Sequence, residues 1–427
     1  MTPEELTYLS VLLFSIPVGL LFKGRGPRFR QWVGSGLGVG LTLVTCGPHA
    51  LHSLVTALGT WVVLRATPRR CGWAALLWTF GYLLFFRTPE LWGLPQPPPY
   101  ANALQLLLTL KMVSMATDVQ DLREAGLKGV TSAEADDVIG GLESCPGLVE
   151  ILCYSYCYLG LLTGPFYRLR TYQDWLRGPS PPFSPSLILE RLRWVPAFAL
   201  VAEACGRLFP ARTLLGPALW GWSFPWRLLA SAPVFLAFRL RFYVGWLCAE
   251  AACLVAAFGG YPKERGARSC PPAPQHWDFE CIRTVDPWGT ERCRGVREGL
   301  RRWNMTVQWW LQHYVHRRTP GPPLLRASVT LLASAYWHGL HGGLYLSLLS
   351  LPLWLAAERA AVPAALGALP PALGPVGPRA PMRVFEYLSV GFVLRRGRDA
   401  LSYWGALGFC FHLLPLAFMA GEGGWEP

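Results

Sequence analysis

Long apolar stretches separated by short breaks rich in arginine, proline and glycine dominate the chain. Leu6–Phe22, Trp32–Thr45, Ala50–Leu64 and Trp73–Phe86 are four close-set apolar segments. Each approaches the ~20 residues that an α-helix needs to cross a hydrocarbon core about 30 Å thick. The break between the first two carries Lys23, Arg25, Arg28 and Arg30, and the break after the third carries Arg65, Arg69 and Arg70. The CGPH link at 46–49 carries neither lysine nor arginine. By the positive-inside rule this alternation predicts two crossings joined at 46–49, with the 23–30 and 65–70 loops in the cytosol and the N-terminus on the opposite, lumenal side. The acidic MTPEEL start lacks the positive region of a cleaved signal sequence, so Leu6–Phe22 reads as a retained first helix.

Further along, LWGLPQPPPY (91–100) cannot continue a helix. Asn102 to Val119 is apolar on one face and carries Lys111, Ser114 and Asp118 on another, the pattern of a bundle span or of an interfacial helix. Residues 120–145 are charged and loop-like, and Gly147–Thr163 returns as a tyrosine-rich span ending in GPFYRLRTYQDWLRG. After GPSPPFSPS (178–186) comes Trp194–Phe209, then Pro225–Gly260, which is apolar apart from Arg239 and Arg241. About 35 residues at 1.5 Å each is about 52 Å, too long for one straight crossing. This predicts either one helix projecting into the cytosol or two segments hinged near FRLRF, with the arginines facing a cavity or snorkelling. Residues 261–300 are the longest polar stretch. Trp303–Val315, Leu324–Trp337, Leu344–Ala357, an Ala/Pro/Gly linker (359–381), Val384–Leu394 and Leu401–Ala420 follow. The pattern predicts an all-α polytopic membrane protein of roughly eleven spans. It reads as a single domain over 1–427, with a core at about 147–357 and loops at 120–145, 263–300 and 359–381.

Composition agrees. The 427 residues are 52 % hydrophobic, include 20 tryptophans, and are only 15 % charged, against roughly 25 % in soluble proteins. The net charge of +13 comes almost wholly from arginine, since lysine occurs only at 23, 111, 128 and 263. These cations are scattered over many loops rather than gathered on one helix, which argues against nucleic acid and for cytosolic anchoring or attraction of an anionic cofactor or lipid headgroup. Cys46, Cys153, Cys157, Cys205, Cys248, Cys253 and Cys410 lie in or beside apolar segments, where cysteine packs as a small hydrophobe. Cys270, Cys281 and Cys293 share one polar loop at spacings too wide for a zinc ribbon, leaving one loop disulfide open.

Trp303 to Tyr345 concentrates the candidate chemistry. His338, between Trp337 and Gly339, ends an apolar run where an ionisable group is costly. One reading is a histidine satisfied by a neighbouring helix. Three features favour function: Gly339, Gly342 and Gly343 remove side-chain bulk, Tyr336 and Trp337 supply apolar walls, and polar Asn304 sits in a second apolar segment. A low-dielectric cavity disfavours a charged imidazole and keeps it available as a general base, for example toward an alcohol attacking a thioester. Asn304 opens an Asn-Met-Thr sequon, yet its apolar flanks argue against glycosylation. It reads either as an interhelical hydrogen bond or as an amide that orients a hydroxyl or steadies an oxyanion. His341 follows His338 by three residues, but the double glycine after it ends the helix, and the arrangement does not suit a metal. Tyr167 and Arg168, in GPFYR, read as a phosphate-holding turn or as an aromatic-belt loop. The sequence has no G-x-S-x-G elbow, P-loop or dinucleotide fingerprint, and the GSGLGVG glycines at 34–40 read as close helix packing.

With Trp303-Asn304, an apolar segment and YWHG at 336–339 in view, the chain resembles the membrane-bound O-acyltransferases. TCGPHALHSLVTALGTW (45–61), YSYCYLGLLTGPFYRLRTY (154–172), FRLRFYVGW (238–246) and WNMTVQWWL (303–311) resemble that family's lysophosphatidylinositol acyltransferase branch. The resemblance implies a multi-helix fold around a tunnel, with acyl-CoA as co-substrate and no permanently bound cofactor. It implies His338 as general base and Asn304 as its partner. Trp303, Tyr336, Trp337, Tyr167 and Arg168 are the candidate substrate-binding residues. The implied reaction transfers arachidonoyl to the sn-2 hydroxyl of lysophosphatidylinositol in the endoplasmic reticulum membrane. Another lysophospholipid, a peptide acceptor, and a transporter or scaffold are the alternatives.

Overall fold

A computed structural model describes residues 3–128, 140–263, 276–360 and 380–421. Most of the expected linker at 359–381 and the greater part of the polar segment around Cys270 lie outside the described residues. The described chain is mostly helical, with one exception to the all-α expectation. Tyr261–Pro262 pairs antiparallel with Trp277–Asp278. It divides into two compact units, Met1–Arg193 with Gly245–Thr284, and Trp194–Val244 with Val285–Pro427.

One segment of the first unit is patterned inside-out relative to a helix of a water-soluble bundle. Along Pro27–Ala66 most buried positions are small or polar, including Gly34, Ser35, Gly38, Thr42, Ser53, Thr56 and Thr60. Trp32, Leu43, Val44, Leu51 and Val62 point outward. Lipid tails are as apolar as leucine, so burying large apolar groups gains little there, and close backbone approach decides which face turns inward. A Cβ on Gly38 would lie 1.7 Å from the Tyr156 carbonyl oxygen, while one on Gly36 would meet nothing within 4 Å. The expected glycine packing therefore belongs to alternate glycines of GSGLGVG.

One expected break is present in this unit, and three expected boundaries change in it and at its edges. The CGPH link separates two helices: Gly47–His49 is one turn of 3-10 helix between Pro27–Cys46 and Ala50–Ala66, Gly47 leaves the helical path at φ 55° and ψ −134°, and Gly38 and Ser53, one on each side of it, both meet Tyr156. Pro48 is tolerated because a helix's first turn needs no amide hydrogen from it. Asn102–Val119 is buried on nearly every side within Pro99–Lys128, and so is an interior helix; its helical run also takes in the first part of the expected 120–145 loop. The expected Gly147–Thr163 span is a helix only over Leu148–Ser155, followed by buried irregular chain through Gly160, whose φ of +67° favours glycine. Finally, Ser231–Val255 runs unbroken through Arg239 and Arg241, with no hinge at FRLRF.

Among the described residues, two helical segments are long and apolar enough to cross a membrane, Pro27–Ala66 and Phe224–Val255. Gly397–Ala406 and Cys410–Met419 make a third across a 71° bend, and Leu6–Phe22, Cys71–Arg87 and Gly342–Glu358 are shorter apolar helices. In the second unit the polar stretch before Trp303 is largely ordered. Pro287–Glu291 and Val296–Arg302 are helices, and Thr290, Cys293 and Val296 are buried.

Candidate active site

Asn304 is the joint between two helices, Val296–Arg302 and Met305–Trp310. Its backbone is left-handed, φ 44° and ψ 53°, a conformation asparagine tolerates better than most residues. The helical path continues through a π-turn, Leu311–Val315, and a 3-10 turn, His316–Arg318. It then folds back as Pro323–His338. Arg326 Nε donates to the His316 carbonyl at 3.1 Å, and Thr330 Oγ1 lies 3.4 Å from His316 Nδ1, which ties the arms of this hairpin together. Asn304 stands twelve residues before His316 and His338 twelve after Arg326. The two candidate residues therefore share the open end of the hairpin.

Aromatic rings join them. The His338 ring meets Phe392 edge-on at 5.3 Å between centroids, and Phe392 meets Phe238 at 6.4 Å. Phe238 meets Phe242 at 5.0 Å, and Phe242 meets Trp303, the neighbour of Asn304, at 5.9 Å. Phe238, Phe392 and Trp303 are half-buried and Phe242 is partly exposed, so this wall presents an open apolar face. Sequence reasoning missed Phe238, Phe242 and Phe392. The signal available was the i, i+4 spacing of Phe238 and Phe242 in FRLRF, which puts both rings on one helix face.

The other predicted residues fall as follows. Trp337 is buried, with its ring 4.7 Å from His338, and Tyr336 is half-buried on the same helix. Trp303 rests on Phe242 and Tyr243. His341 is exposed beyond the helix that ends at His338. Gly343 does not open space for a substrate, because a Cβ there would lie 2.5 Å from the Gly391 carbonyl oxygen and 2.6 Å from that of Arg395. It is a close crossing of two backbones.

Tyr167 and Arg168 lie in the core of the first unit. Arg168 Nε donates to Asp118 Oδ2 at 3.0 Å, with both side chains buried. The Tyr167 hydroxyl accepts from Lys111 Nζ and donates to the Leu159 carbonyl, each at 2.9 Å. Neither is an open, membrane-edge group. A charge already paired inside a core is costly to redirect to a phosphate.

Thiol chemistry is not favoured near the hairpin. Burial pushes the Cys293 thiol up to about 11, so little of it is thiolate near neutral pH. Cys281 and Cys293 are both free thiols. His412 is held by the Ser350 and Tyr387 hydroxyls at 2.9 and 3.0 Å, and Ser350 donates onward to the Leu346 carbonyl. That arrangement is a satisfied structural chain rather than an activated serine.

The model of the MBOAT, membrane-bound O-acyltransferase, family matches residues 100–364, a span that includes Asn304 and His338. The chain is 49 % identical over 443 residues to membrane-bound acylglycerophosphatidylinositol O-acyltransferase MBOAT7 of Bos taurus, covering 98 % of this chain and 93 % of that protein. The Homo sapiens protein of the same name is 48 % identical with the same coverage. Membrane-bound acylglycerophosphatidylinositol O-acyltransferase frj of Drosophila melanogaster is 31 % identical over 394 residues, 84 % of this chain and 78 % of that protein.

Proposed function

The chain belongs to the membrane-bound O-acyltransferase family, and from that premise we propose that it transfers a fatty acyl group from acyl-CoA to the sn-2 hydroxyl of lysophosphatidylinositol. The single observation that carries the chemistry is the placement of Asn304 and His338 at one end of a helical hairpin, joined by the ring wall Phe392–Phe238–Phe242–Trp303. The choice of an inositol lipid is supported by the names of the relatives.

In this reading His338 removes the proton as the lipid hydroxyl oxygen attacks the thioester carbon. The carbonyl oxygen gains charge in the tetrahedral intermediate, and the Asn304 amide donates to it or holds the attacking hydroxyl in line. Collapse breaks the carbon–sulfur bond, and the departing CoA thiolate takes up the proton that His338 carried. A thioester is already activated, so the step needs neither a metal nor a covalent acyl-enzyme. The acyl chain lies along the ring wall, with Trp337, Tyr336 and Trp303 beside it, because an apolar tail is best held where water is excluded. Arg168 and Tyr167 act as framework in this scheme. The proposal extends to arachidonoyl as the favoured chain, the endoplasmic reticulum as the membrane, a tunnel through the body, and about eleven crossings.

The test is acyl transfer by purified protein in nanodiscs. Arachidonoyl-CoA is supplied with lysophosphatidylinositol, lysophosphatidylcholine, lysophosphatidylserine or lysophosphatidylethanolamine, to wild type and to His338→Ala. Selective product with the inositol lipid, abolished in folded His338→Ala, is the expected result. Wild-type turnover by His338→Ala would discard the general-base role. Histidine-dependent product with another headgroup would discard the inositol lipid alone.

A further inference from the structure

We infer that Tyr243 and Glu291 are positioning residues that set Asn304 through Trp303, an assignment that rests on the catalytic reading of Asn304 given above. Asn304 has a helix on each side and a strained backbone, so its amide direction depends on what fixes the two-residue joint Trp303-Asn304. On the chain before it, Arg302 is pinned twice to Asp286. Its carbonyl accepts from the Asp286 amide at 3.0 Å, and its guanidinium meets Asp286 Oδ2 at 2.7 Å. The first turn of that helix is held from elsewhere, because the Val296 and Arg297 amides donate to Glu358, in the helix that follows His338.

Trp303 itself lies against Tyr243, with centroids 5.7 Å apart and planes at 59°. Tyr243 is fully buried, and its hydroxyl donates to Glu291 Oε1 at 3.0 Å. Glu291 in turn takes both Nε and Nη2 of Arg239, at 2.6 and 2.9 Å. The fourth member of the network, Glu386, lies 3.8 Å from Arg239 Nη1 and is bridged to Arg383. Two cations and two anions thus balance inside the unit, and the bidentate pair fixes an orientation as well as a charge. Phe238 and Phe242 build the apolar wall on one side of the same helix, while Arg239 and Tyr243, again four apart, build the brace. The brace explains one of the two arginines that interrupt this apolar helix: Arg239 is a buried anchor for the residue that carries the Trp303 ring.

A brace that works through Asn304 has no effect once the Asn304 amide is gone. Tyr243→Phe keeps the ring under Trp303 and removes only the hydroxyl. Glu291→Ala would leave Arg239 buried without its bidentate partner, so it is not the variant of choice. We expect Tyr243→Phe to lower kcat by about fivefold, the effect of one lost hydrogen bond, with the KM for acyl-CoA and for lysolipid within about twofold of wild type. In the Asn304→Ala background the same change should alter kcat by less than about 1.5-fold, because the two mutations then act on one step.

A Tyr243→Phe loss that persists undiminished in Asn304→Ala would overturn the inference. So would unchanged kcat in the single variant. Should Asn304→Ala have no measurable turnover, fluorine NMR of 5-fluorotryptophan protein decides, with the Trp303 resonance assigned by Trp303→Phe. Tyr243→Phe must shift that resonance, and an unmoved resonance sinks the brace. Full activity in His338→Ala would instead bring down the catalytic reading itself, which separates the two failures.

Discussion

At the scale of single residues, the site is a matter of which polar groups are committed. Arg168 spends its charge on Asp118, and His412 spends both ring nitrogens on hydroxyls. Asn304 differs in sitting at a helix joint in left-handed backbone, beside the open ring wall. An amide that acts on a developing oxyanion matters more in the transition state than in the bound substrate. Asn304→Ala is therefore expected to lower kcat by about 100-fold, the range for loss of one oxyanion donor, with acyl-CoA affinity little changed. Single-turnover rates with an independent acyl-CoA binding titration check this. An equal loss of binding and rate would make Asn304 a residue that positions substrate.

At the scale of elements, small residues decide how helices meet. Gly38 and Gly36 sit in one helix and one motif, yet only Gly38 faces a neighbouring backbone. Gly38→Ala forces a methyl group into the Tyr156 carbonyl and should destabilise the first unit by about 1–3 kcal/mol, the usual cost of overpacking. Gly36→Ala meets open space and should be neutral or stabilising by up to about 1 kcal/mol, since alanine is the better helix former. Thermal melting of the two variants in detergent compares them directly, and equal midpoints would refute the packing role. The broken helices follow the same logic. Gly408 at φ 58° and Phe409 at φ 51° mark the 71° bend that splits the expected Leu401–Ala420 span.

At the scale of the whole molecule, the division into two units places every member of the proposed site, Asn304, His338, the ring wall and the Arg239 brace, in the second. The first unit holds a lysine and an arginine in its own core, Lys111 between the rings of Tyr154 and Tyr167 and Arg168 on Asp118. Membrane disposition is also a question at this scale. Two helices of 20 and 17 residues meet at the Gly47–His49 turn, each close to the length that spans a hydrocarbon core. If each crosses, cysteines introduced at Gly24 and Thr67 in a cysteine-depleted background will be labelled from the same face of sealed vesicles. Labelling from opposite faces would overturn the two-crossing reading of the arginine pattern.

The sequence by itself determined the class and the chemistry. Hydrophobic run lengths and sparse charge identify a membrane protein because a bilayer enforces them locally, segment by segment. Trp303-Asn304 and YWHG at 336–339 single out the proposed reactive residues because their types are costly in apolar surroundings. Only the tertiary structure decided which apolar runs are interior, as with Asn102–Val119, and which glycines touch backbone. It also placed Arg168 and Tyr167 in a buried, paired core and brought Phe238, Phe242 and Phe392 into one row of rings. Those outcomes depend on partners distant in sequence, such as Glu291 for Arg239 and Tyr156 for Gly38, and a one-dimensional pattern carries no information about which distant residue will be there.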